Sequence, residues 1–104
     1  FTFKVARFYC NATGNLHGGA SSMIFDLCTS LPVMALGKKD FWLNAGVSRT
    51  LIVNYLRPAP EGMELELEAE VISLGKNLAY TRGLLKRAED GVIVATCEHT
   101  KAAV

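Results

Sequence analysis

Neither charge sign prevails in this chain: eleven Lys and Arg stand against ten Asp and Glu over 104 residues. A nucleic-acid surface, whose signature is a strong basic excess, is therefore not expected. Cysteine is scarce: Cys10, Cys28 and Cys97 are odd in number, far apart and set in apolar runs. That pattern excludes a disulfide framework and a zinc site, and no metal or cofactor is expected. It reads as free thiols in a reducing, intracellular compartment, cytoplasmic or mitochondrial. No signal or transit pattern, internal repeat or low-complexity stretch is present. Asn11-Ala12-Thr13 fits a glycosylation sequon, which matters only in a secreted protein. The chain opens mid-strand without a methionine, so an N-terminal segment is expected to be missing.

Apolar residues are plentiful, at 50% of the chain, enough for one domain (1–104) with a generous core or a large subunit contact. The organising stretch is Gly18–Leu36, GGASSMIFDLCTSLPVMAL, whose single charge is Asp26. Pro32, late in the run, should kink or end a helix rather than prevent one. A helix apolar on all sides is expected to be buried. A membrane span is not expected, given two leading glycines, four Ser or Thr, a Pro and a mid-helix Asp. A lone carboxylate in a buried helix is costly unless chemistry or a local partner uses it. Both readings of Asp26 stand on spacing alone.

In chain order, residues 1–9 are rich in aromatic residues and read as a strand, and residues 10–17 as a loop. After the helix, residues 38–40 read as a solvated turn and residues 41–45 as a connector. Residues 46–56 are β-branched and aromatic, which suits a long strand, and Pro58 and Pro60 break it. Glu64, Glu66, Glu68 and Glu70 then alternate with Leu65, Leu67, Ala69 and Val71, a strand with one face wet and one dry. Residues 75–77 form a turn, 78–87 a strand, 89–91 a hairpin turn and 92–101 the last strand. The order predicts an α+β domain: a long central helix wrapped by a curved antiparallel sheet of about five strands, the last four pairing as a meander.

Several features converge on the helix start. The first amides of a helix have no internal partner and carry the positive end of its dipole. Gly18 and Gly19 leave those amides open to a ligand, an oxyanion site in outline, or else serve close helix–sheet packing. His17 is either a base or the holder of the helix entrance. Ser48 has no nearby acid–base partner and no nucleophile-elbow context in sequence, so a serine-hydrolase reading is poor; His99 sits in a strand with no evident partner and reads as structural. Asp26 lies eight residues past Gly18, about 12 Å along a helix axis. One carbonyl carbon cannot be served by both from the same helix. If both act, a two-fold dimer must share its sites between chains.

Asn11-Ala12-Thr13-Gly14-Asn15-Leu16-His17-Gly18-Gly19, with Asp26 behind it, resembles the hotdog-fold acyl-CoA thioesterases. The likeness is to the phenylacetate-type subgroup that includes a small mammalian member. It continues in order through Gly46-Val47-Ser48, Asn54-Tyr55-Leu56-Arg57-Pro58-Ala59, Gly75-Lys76-Asn77-Leu78-Ala79-Tyr80 and His99-Thr100-Lys101. The resemblance implies hydrolysis of an acyl-CoA thioester to a free acid and coenzyme A, in a homodimer or dimer of dimers. It implies Asp26 as base or nucleophile, Gly18 as the amide on the thioester oxygen, Asn11 as a placing side chain and Ser48 as an orienting hydroxyl. His17 and Gly19 would help bind substrate, and Lys76 and Asn77 would meet the nucleotide end of coenzyme A. Pro32 departs from the pattern, so the far end of an acyl channel is expected to differ. The rival readings are a hotdog hydratase or dehydratase, and a non-catalytic acyl-binding module.

Overall fold

The computed structural model describes residues 1–37, 41–42 and 46–103. One helix, α1 (Gly18–Leu36), packs on a sheet of five antiparallel strands: β1 (Thr2–Lys4), β2 (Val47–Tyr55), β3 (Glu64–Leu74), β4 (Leu78–Arg87) and β5 (Ile93–Ala102). The expected turn at residues 38–40 and part of the connector, 43–45, lie outside the described residues.

The clearest period in the sequence gives the clearest strand. In β3, Leu65 and Leu67 are buried, while Glu68 and Glu70 stand on the wet face and pair with Lys86 and Arg82 of β4. These exposed ion pairs add little stability. The core lies under the other face, where Phe25 of α1 meets Leu65, Leu67, Leu85, Val94 and Cys97. Gly83 lets the helix in: a Cβ there would stand 2.9 Å from Phe25 Cδ1.

The predicted four-strand meander is only partly realised. β3, β4 and β5 form one, but the sheet order is β1-β3-β4-β5-β2, so β2 pairs with β5 at the far edge. The segment after β2, where Pro58 and Pro60 donate no ladder bond, does not hairpin back. It crosses the end of the domain instead: Ala59 O accepts from Leu16 N at 2.7 Å, and Glu61 N donates to Gly14 O at 2.9 Å. The first strand is also shorter than expected. It ends at Lys4, because its partner β3 begins at Glu64, and residues Arg7–Tyr9 form a 3-10 turn.

α1 runs four residues beyond Pro32 before Gly37 closes it. It is not buried all round within this chain. Only the row Ser21, Phe25, Thr29 and Val33 is buried, whereas Leu27 is 60% exposed and Leu31 48%. By length and composition α1 could also cross a membrane.

Candidate active site

The loop before α1 builds the helix entrance. His17 is the N-cap: its Nδ1 accepts from Gly19 N at 2.9 Å, and its carbonyl takes the first helical bond from Ser21 N at 3.0 Å. A Cβ on Gly19 would press on His17 Nδ1 at 3.1 Å, so this glycine serves the cap and not contact with the sheet. The Gly18 amide makes no hydrogen bond among the described residues. The Gly18 carbonyl is fixed from β2, accepting from Tyr55 Oη at 2.9 Å. A helix-start amide left open in this way can bind a developing oxyanion.

Two turns along α1, Asp26 faces β2 and β5. Its Oδ1 lies 3.4 Å from Ser48 Oγ and 3.7 Å from His99 Nε2. The side chain of Asp26 is 47% exposed in the single chain, whereas that of His99 is wholly buried. The expectation of a fully buried Asp26 therefore fails for one chain, because the outer side of α1 is uncovered.

His99, read from sequence as partnerless and structural, sits at the centre of this cluster, and Ser48 has the partner it seemed to lack. Thr29 Oγ1 gives its proton to Phe25 O at 2.7 Å. It must then accept from His99 Nδ1, 2.8 Å away. That fixes the neutral tautomer with its lone pair on Nε2, which accepts from Ser48 Oγ at 2.7 Å. Burial pushes the imidazole below its ordinary value, and the Lys101 charge adds to this against the pull of Asp26.

Ser48 reaches this position through a bulge. β2 and β5 pair Ser48 with Lys101 and Thr50 with Thr100, leaving Arg49 as an extra residue. The extra residue turns Ser48 onto the helix side, the face that Leu51 also uses. A sequence signal for His99 does exist. Ala95, Cys97, His99 and Lys101 alternate along the buried face of β5, and a histidine on a dry strand face needs polar partners.

The remaining expected residues fall at the two ends. Asn11 lies near the helix start, its Oδ1 accepting from Thr13 N (3.0 Å), Thr13 Oγ1 (2.6 Å) and Asn15 N (3.2 Å). With Ser21, Tyr55 and Arg57 it lines a cleft of about 370 Å³. Lys76 and Asn77 lie in the exposed β3–β4 turn, beside the Val33 end of α1, where Gly75 O accepts from Trp42 Nε1 at 2.6 Å. The fold thus gathers Asn11, His17, Gly18 and Gly19 at one end, Asp26 and Ser48 midway, and Lys76 and Asn77 at the other.

A helix-start amide, a carboxylate with a tethered hydroxyl and one helix on a curved sheet define a hotdog hydrolase in outline. The sequence matches the thioesterase superfamily model over residues 13–94. It is 31% identical over 98 residues to acyl-coenzyme A thioesterase 13 of Homo sapiens, covering 94% of this chain and 67% of that protein. The zebra fish thioesterase superfamily member 2 structure superposes with a TM-score of 0.90 at 26% identity, covering 99% of this chain and 72% of that one. A thioesterase structure with coenzyme A from Streptococcus pneumoniae gives 0.88 at 25% identity, with 99% and 75% covered. The chain belongs to the thioesterase superfamily.

Proposed function

We propose that this protein hydrolyses acyl-CoA thioesters to the free acid and coenzyme A, with Asp26 as general base. The carrying observation is the Asp26 carboxylate 3.4 Å from Ser48 Oγ, with His99 fixing that hydroxyl from behind. The named relatives, acyl-coenzyme A thioesterase 13 and the coenzyme A-bound structure, support the substrate class. In the reaction, Asp26 takes a proton from water as its oxygen attacks the thioester carbon. The oxyanion that forms is met by the Gly18 amide, with Asn11 placing the thioester beside it. Collapse breaks the C–S bond, and the thiolate leaves with the proton returned from Asp26.

The two halves of this machinery come from two copies. Gly18 and Asp26 are eight residues apart on one helix, about 12 Å by helical rise. β2 is an edge strand that runs from Ser48, beside Asp26, to Tyr55, beside Gly18. Two copies of β2 laid antiparallel bring the Asp26 end of one chain onto the Gly18 end of the other. The apolar outer residues of α1, Leu27 and Leu31 among them, favour further burial in a dimer or dimer of dimers. Lys76 and Asn77, remote from Gly18 in their own chain, would serve a coenzyme A tail bound across that interface. The three free cysteines favour a reducing compartment, cytosolic or mitochondrial.

An acid–histidine pair at 3.7 Å would suit a hydratase, but His99 is wholly buried with both ring nitrogens engaged, so it cannot reach a substrate. The test is a panel of acyl-CoAs with detection of the released thiol. Thiol release with a preference among acyl groups is expected; no release from any member overturns the reading.

A further inference from the structure

Lys101 carries the one buried ammonium among the described residues, with only 4% of the residue exposed. It lies on the helix side of β5, two residues past His99, paired across the sheet with Ser48 of β2 and Ala79 of β4. Its Nζ donates to Ser30 Oγ at 3.0 Å. Ser30 has already given its own proton to the Asp26 carbonyl at 2.6 Å, so it can only accept from Lys101. An ammonium has three donors, and this chain supplies one acceptor among the described residues. Burying a cation with so little compensation is costly unless an opposite charge lies close.

Among the described residues, few titratable groups lie beside Lys101 on the elements packed against it. Asp26 of α1 and His99 of β5 are the two whose charge couples to it, while the thiols of Cys28 and Cys97 belong to the core around Phe25. β2 and β4 present Ser48 and Ala79, which carry no charge. Arg49 at the bulge is exposed. Among the described residues, Asp26 is the acid whose charge acts on Lys101. The electrostatics agree: burial lowers the Lys101 ammonium while Asp26 pulls it back up, and Lys101 in turn holds His99 down.

We propose that Lys101 is a positioning residue of the site. Its buried charge, two residues from His99 on the same dry face of β5, keeps His99 as the neutral imidazole, so that Ser48 stays bonded to His99 Nε2 beside Asp26. A tether to Ser30 alone would stiffen α1 against β5 without touching that protonation state. This proposal rests on Asp26 being the base.

The test uses the assembled enzyme and the variants Lys101→Met and Lys101→Gln, which keep much of the length and lose the charge. Two readouts are followed: the pH profile of kcat/KM with an acyl-CoA, and the His99 imidazole titration by NMR on ¹³C-histidine-labelled protein. Without the ammonium the imidazolium is less opposed, so the His99 midpoint moves up, and the acid limb of kcat/KM, which needs Ser48 bonded to neutral His99, moves up with it. The expected shift is at least about one pH unit: a charge about 4 Å away in an effective dielectric of about 20 is worth about three, and the effect falls off with distance. At a pH well below the limb this is at least about a tenfold loss beyond any loss on the plateau. Lys101→Arg, which keeps the charge, should leave the midpoints near their original places. A uniform loss at every pH with an unmoved His99 titration overturns the proposal. If the neutral variants do not fold, the wild-type enzyme decides: the His99 resonance should show a second step as Lys101 deprotonates, and a single step overturns the proposal. If Asp26→Asn kept full turnover, the assignment of the base would fall, while the His99 titration would still answer for Lys101.

Discussion

Ser48 Oγ stands 2.7 Å from His99 Nε2 because β2 carries one residue more than β5 at that point. A strand without the bulge would alternate Ser48 onto the wet face, away from Asp26. Ser48→Ala should therefore leave the fold intact and lower kcat by about 10²-fold, the usual loss for one positioned polar group, with a smaller change in KM. Steady-state kinetics on the purified variant check this. A variant within twofold of wild type would remove Ser48 from the mechanism.

Asp26→Asn keeps the shape of the side chain and removes its basicity. Turnover should fall by about 10² to 10⁴, and further if the carboxylate attacks directly. The variant should still bind acyl-CoA, since Asp26 lies on the half-exposed side of α1 and supports no core contact. Thiol release together with calorimetric binding separates the two outcomes. Loss of binding along with turnover would mean that Asp26 holds substrate.

The pH dependence of stability has a definite sign at His99. Its folded value lies below the ordinary 6.5 because of burial and then Lys101. As the pH falls below about 6.5, the unfolded chain binds a proton that the folded chain still refuses. Stability from the neutral imidazole is thus full above the unfolded value and is lost as the pH drops through the folded one. The urea midpoint of the wild type should fall from about pH 7 to about pH 5, and His99→Asn should be flatter across that interval even if lower overall. Parallel slopes in both proteins would assign the acid sensitivity to other groups.

Gly83 sets how closely α1 lies on the sheet. A Cβ there would meet Phe25 Cδ1 at 2.9 Å, Cε1 at 3.0 Å and Thr29 Cγ2 at 3.2 Å. These are rigid, fully buried groups, and overpacking of this kind costs about 1–3 kcal/mol. Gly83→Ala should lower Tm by several degrees, at about 4–8 °C per kcal/mol for a domain of this size. It should also lower turnover in the folded fraction, because Thr29 anchors His99. An unchanged Tm would show that α1 can lift off the sheet freely.

Local pattern told much of this architecture and missed what distant pairing decides. The Glu–Leu alternation of β3 and the apolar run of α1 carry their own periods, and both elements lie where those periods put them. The place of β2 beside β5 has no local signature, since residues 56–63 look the same whether they turn back or cross over. The site divides in the same way. Asp26 and Gly18 stood out as a lone charge and a glycine at a helix start. His99 did not, because its partners Ser48 and Thr29 are 51 and 70 residues away in sequence. The exposure of Asp26 was equally beyond reach, because a helix apolar all round looks buried whether its own sheet or a second copy covers it.

The shared site can be tested by mixing two inactive proteins. Asp26→Ala removes the base from one half of a site, and a lesion near Gly18 must remove part of the other half. Asn11→Ala would do so, but Asn11 Oδ1 accepts three hydrogen bonds within its loop, so that change also loosens the helix entrance. Asn11→Asp keeps this oxygen while it replaces the NH₂ donor with a second oxygen and a negative charge, which opposes an oxyanion nearby. Mixed and reassembled, the two variants form heterodimers in which one site carries both lesions and the other carries neither. Each heterodimer should then show about half of wild-type activity, as two-fold symmetry of shared sites requires. If each site drew its residues from one chain, every site in the heterodimer would keep one lesion and no activity would return. Subunit exchange is followed independently, by mass spectrometry of differently labelled chains. Exchange without recovery would place Gly18 and Asp26 in separate functions.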